Sequence, residues 1–214
     1  RCTFIFTPPS EPTLPETAIP SRIVIFHNQV PDYRPAPPLI DPSKSKSKIM
    51  SQFGKGKANA KIILSGDYAV LFGEPAIAAG FEVASAWSFE LDGYIPSSGV
   101  NKSLLKKACR AMADEVNANE AFSVHIDNEV PVGAGLGASA AFCLAFARAL
   151  DDAGFHNGSM FRIAARGEKM LHGYASAIDL EAAYHRYRFV FHPRYKNPQI
   201  DRLDGEAMTM LLTW

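Results

Sequence analysis

The sequence predicts an α+β fold, on three observations. Short runs rich in β-branched and aromatic residues, at residues 61–64, 81–91 and 122–126, read as strands. Two longer segments, residues 101–117 and 160–172, repeat apolar side chains at helical spacing. Between the last strand and the second segment stand three alternating glycines, Gly133, Gly135 and Gly137, with a helix-forming run to Leu150 directly behind them.

The composition bounds what such a chain can do. Of 214 residues, 47% are hydrophobic and 21% charged, enough apolar material for a sizeable core and too much for wholesale disorder. The formal net charge is zero, which removes the basic footprint of a nucleic-acid binder. The most apolar run, Ala138 to Ala147, is too short to span a bilayer and ends at Arg148, so no membrane partner is expected. Three cysteines without metal spacing (Cys2, Cys109, Cys143) fit a reducing, cytoplasmic setting, with Cys143 packing as a small hydrophobe.

In chain order, residues 1–49 stand apart. Ten prolines between Pro8 and Pro42 interrupt almost every element, and only residues 22–26 read as a strand. The rest of this leader is expected to be extended and largely unstructured, with a native start at Met50, the first methionine. A patterned domain is expected over residues 50–185. It opens with the strand at residues 61–64, a turn at Ser65-Gly66-Asp67-Tyr68, and a second strand at 81–91 that pairs with the first. The helix at 101–117 turns Leu105, Ala108, Met112 and Val116 inward and Lys102, Lys106 and Arg110 outward. The helix behind the glycines is apolar nearly all round and should be buried on most sides. Gly173 stops the helix at 160–172.

The glycines carry the chemistry. Glycine permits positive φ and close backbone approach to a ligand, and a helix opening behind it aims unpaired N–H groups at the same point. The result is an anion cradle suited to phosphate. It is neither a P-loop, since no lysine lies between Pro131 and Leu150, nor a dinucleotide fingerprint, whose spacing it lacks. Phosphoryl transfer further asks for hard oxygen ligands to a metal and a carboxylate to take a proton. Ser139 and Glu168 offer oxygens suited to magnesium, Asp179 is the candidate base, and Lys61 could hold a developing alkoxide. Taken singly, a helical glutamate such as Glu168 is more often a charge on a solvated face. His172 reads as a structural residue at a helix C-terminus.

Three segments then resemble one family. Residues 131–141 are similar to the Pro-x-x-x-Gly-Leu-x-Ser-Ser-Ala signature of the galactokinase, homoserine, mevalonate and phosphomevalonate kinase superfamily. Residues 58–78 resemble its first motif in the mevalonate kinase form, and Gly167-Glu168 through Ser176-Ala177-Ile178-Asp179 resembles the segment written Gly-Glu…Ser-Gly-Ile-Asp. The resemblance covers about residues 55–185. It implies an N-terminal kinase domain with a ribosomal-protein-like α+β fold, and ATP-dependent phosphorylation of a small-molecule hydroxyl, mevalonate foremost. It further implies ATP phosphates on the backbone of Gly133, Ala134, Gly135, Leu136, Gly137, Ala138 and Ser139. Mg2+ would sit on Ser139 and Glu168, and Asp179 would be the base with Lys61 beside it. A homodimer is compatible with it.

The departures are specific. The first loop serine is Ala138, Pro-Gly before the lysine is Asn59-Ala60, Glu-His is Asp67-Tyr68, and the glycine before Ile-Asp is Ala177. Nothing after Asp179 resembles the superfamily's third, glycine-rich motif. Residues 186–214 are therefore expected to be an atypical tail, as from a truncated or frame-shifted product.

Overall fold

A computed structural model describes residues 3–6, 21–26, 53–90, 102–118, 123–128, 130, 132–155, 159–175, 177–193, 198–205 and 208–213. Met50, Pro131 and Ser176 lie outside the described residues, as does Cys2. In chain order the elements are β1 (Thr3–Phe6), β2 (Ser21–Phe26), β3 (Phe53–Ser65), a 3₁₀ turn (Ala69–Phe72), β4 (Ala76–Glu90), α1 (Lys102–Glu115), β5 (Ser123–Asn128), α2 (Ala138–Asp152), α3 (Met160–His172), α4 (Ala177–Tyr184), β6 (Arg188–His192), β7 (Gln199–Arg202) and β8 (Met208–Thr213). The fold is α+β, as the sequence predicts.

The main sheet is antiparallel and built on β4. Its outer edge runs along β3; on the other side β6 pairs with residues 76–79 and β5 with residues 85–90, and β7 extends the sheet beyond β6. Residues 188–192 and 199–202, set apart from the sequence alone as tail, thus continue the central sheet. Phe189 and Phe191 alternate inward from β6 and close a core cluster with Ile178 and Ala182 of α4. A second, three-stranded sheet has the order β1-β8-β2, so residues 3–6 form a strand as well as residues 21–26, and both pair with 208–213.

α2 lies along β3 and packs against α3. Ten of its residues, from Ala140 to Leu150, are buried, as its apolar composition requires. Such close packing needs small residues on the strand: a Cβ at Gly54 or Gly56 would run into the carbonyls of Ala149 and Ala145. α1 adds Leu105, Ala108, Cys109, Met112 and Val116 to the same core. Burial pushes the Cys109 thiol up to about 12, and the Cys143 thiol well above the ordinary range.

Gly56→Ala is expected to destabilise the chain by ~1–3 kcal/mol through overpacking; an unchanged urea midpoint would refute the close approach of α2. Cys109 and Cys143 should resist alkylation at pH 8 until the chain unfolds, which mass spectrometry after iodoacetamide treatment would show.

Candidate functional site

Leu136 anchors the glycine loop. Its side chain is buried with Ala60, Ile62, Phe81 and Val130, and its carbonyl accepts the backbone N–H of Lys61 at 3.0 Å. The loop is thereby fixed to β3, while Gly133, Gly135 and Gly137 take φ values of 82°, 78° and 71°. Gly137 is the N-cap of α2, and no side chain caps that end. The first amides of the helix remain free to meet an anion. Gly137 is required twice over, because a Cβ there would strike the Lys61 stem.

Lys61 leaves β3 toward α4, and its Nζ lies 2.6 Å from Asp179 Oδ1. Asp179 sits in the first turn of α4, where the helix dipole favours a negative charge. Glu168 projects from α3 and is only 3% exposed, which excludes the reading of a charge on a solvated face. Burial raises its pKa above the ordinary glutamate value. Hydrogen bonds from Ser139 and Cys143 and the nearby His172 oppose that rise, whereas the charge of Asp179 adds to it. Glu168 Oε1 is buried and has no hydrogen-bond partner among the described residues.

These groups share one cavity of about 290 Å³, lined by Lys61, Gly133, Gly135, Gly137, Ala138, Ser139, Glu168 and Asp179. Ala134 and Leu136, the remaining two loop residues, are not among its lining. Val132, His172 and Tyr174 complete the wall, and sequence reasoning did not place them there. For His172 the signal was present, since it follows Glu168 by four residues on one helix face. Tyr174 and Val132 carry no pattern of their own.

No group of three metal-binding His, Cys, Asp or Glu side chains exists among the described residues. A magnesium ion does not need one, since it usually takes one or two protein oxygens and completes its shell with water and phosphate. The bare Oε1 of Glu168, with the Ser139 hydroxyl beside it, fits that requirement.

Residues 103–186 match the family model described as GHMP kinases N terminal domain. Over that stretch the chain is similar to a GHMP kinase N-terminal domain. Ser139, Glu168 and Asp179 fall inside that match, and Lys61 precedes it. The mevalonate kinase of Pyrococcus abyssi is 27% identical over 154 residues, 57% of this chain and 46% of the relative. The crystal structure of mevalonate kinase from methicillin-resistant Staphylococcus aureus is 26% identical with a TM-score of 0.55, covering 70% of this chain and 55% of that one. L. major mevalonate kinase, crystallised with R-mevalonate, shares the fold at a TM-score of 0.61 and 23% identity, covering 73% of this chain and 54% of that one. The chain spans about half the length of these relatives.

The raised pKa of Glu168 makes a signed prediction for metal-free protein in chelator. A carboxyl that holds its proton more tightly folded than unfolded stabilises the fold at low pH and loses that contribution as pH rises. Glu168→Gln should therefore melt above the parent chain at pH 7.5, with the difference shrinking toward pH 4. A constant difference across that range would contradict the burial argument.

Proposed function

We propose that this chain forms the phosphate-binding part of an ATP-dependent kinase that phosphorylates the hydroxyl of mevalonate or a close relative. The observation that carries the reading is the Lys61–Asp179 contact at 2.6 Å on the wall of the same cavity as the glycine loop. A carboxylate beside a phosphate cradle is placed to take a proton from an alcohol, and an ammonium beside it is placed to stabilise the charge that develops. The choice of mevalonate rests on the names of the relatives, all at modest identity and partial coverage.

In this reading the backbone amides from Gly133 to Ser139 hold the ATP phosphates through the end of α2. A magnesium ion held by Ser139 and Glu168 would neutralise phosphate charge. Asp179 accepts the hydroxyl proton as the alcohol oxygen bonds to the γ-phosphorus and the bridging bond to ADP breaks. Lys61 keeps the Asp179 carboxylate in place and faces the attacking oxygen. Tyr68, 75% exposed beside the cavity-bearing strand, and Asp67 stand where the resembled motif has Glu-His, and they are the residues expected to tune the choice of acceptor.

Phosphate transfer from Mg-ATP to mevalonate, and to phosphomevalonate in parallel, tests the proposal. Asp179→Asn should lower kcat by ~10²–10⁴-fold while ATP binding is kept, and Lys61→Met by ~10²–10³-fold. ATP binding without turnover of either acceptor would overturn the kinase reading and leave a nucleotide-binding chain.

A further inference from the structure

Asn59 is 2% exposed, and it stands two residues before Lys61 on β3. Its Nδ2 donates to the carbonyl of Ala183 at 3.2 Å and makes a longer contact, 3.5 Å, to that of His185. Ala183 is in the last turn of α4, where helix carbonyls run out of intrahelical partners, and His185 directly follows the helix. The amide oxygen Oδ1 is buried without a partner among the described residues, so it is the donor end of Asn59 that the site uses. Asn59 and Lys61 stand two residues apart on β3, across a register irregularity with β4 between Asn59 and Ala60, and the side chains of both reach α4. Asp179 and Ala183 are four residues apart on one face of α4, a rise of ~6 Å. β3 therefore grips α4 at both ends of one helical turn: Lys61 on Asp179 at its start, and Asn59 on Ala183 at its finish. Gly80 lets α4 settle between them, since a Cβ there would strike the carbonyls of Ala182 and His185.

We infer that Asn59 is a positioning residue that sets the depth and tilt of α4 and so holds the Asp179 carboxylate against Lys61. The inference rests on the kinase reading for its catalytic consequence, but not for its geometry. Asn59 touches neither cavity nor substrate and acts only through α4.

The experiment compares Asn59→Asp, which keeps the shape but loses the donors, and Asn59→Ala with the parent chain. Both should lower kcat ~10- to 100-fold with the KM for ATP almost unchanged, because the glycine loop is held by the Lys61 N–H and by α2, and not by α4. In an Asp179→Asn background the same Asn59→Ala change should have almost no further effect on rate. Hydrogen exchange should quicken at the amides of 182–185 in Asn59→Asp and not along α2. An unchanged kcat, or an equal loss with and without the Asp179 carboxylate, would overturn the inference. Should the parent chain transfer no phosphate at all, the kinase reading falls and exchange decides alone: unaltered protection at 182–185 would overturn the clamp as well.

Discussion

Lys61 is the residue on which the site depends, and it acts with three parts of itself. Its backbone N–H fixes the glycine loop through Leu136, its stem occupies the space a side chain at position 137 would need, and its ammonium meets Asp179 at 2.6 Å. Loop, strand and α4 are thus referenced to one residue. The ion pair is mostly buried, with the two side chains 11% and 25% exposed. Charges withdrawn from water to that extent gain little net stability from pairing. Their presence is better explained by what they do at the cavity wall than by what they add to folding.

The same reasoning applies to Glu168. A nearly buried carboxylate with one bare oxygen destabilises the fold when ionised, and Ser139, Cys143 and His172 offset only part of that. A stability-driven sequence would place an apolar side chain on this face of α3, as it does at Ile163 and Ala164. The arrangement becomes economical once a cation and phosphates enter, because the bare oxygen and the free amides of α2 then acquire partners of opposite sign. Anion cradle and orphan carboxylate are two halves of one binding requirement.

How far the sequence announces this depends on how local each signal is. α1 and α3 are legible because their apolar periodicity is carried within the segment, and Gly173 ends α3 with φ of 83°. The glycine loop is legible for the same reason. The front of β3 is not: Gly54 and Gly56 have poor strand propensity, and they are there because α2 comes too close for anything larger. The start of β4, with Ala76, Ala78 and Gly80, is hidden likewise under α4. β6 alternates correctly, yet its partner lies at residues 76–79, a pairing no nearby residue signals. Of the site, the polar residues were readable from type and order. The burial of Glu168 and the two ends of α4 meeting β3 were not, since both arise from packing between elements distant in sequence.

The departures from the resembled pattern make more sense in space than in line. Two of them, Asn59-Ala60 for Pro-Gly and Ala177 for glycine, fall at opposite ends of α4's attachment. Ala177 is the first residue of that helix, where alanine is more favourable than glycine by ~1 kcal/mol in helical conformation. Asp179 thereby sits in a regular first turn, with its charge at the favourable end of the dipole. A proline at position 59 could not supply the side-chain donor. Asparagine supplies it, at the carbonyls of Ala183 and His185. α4 is thus a short helix held at its two ends, and that hold brings the Asp179 carboxylate to Lys61.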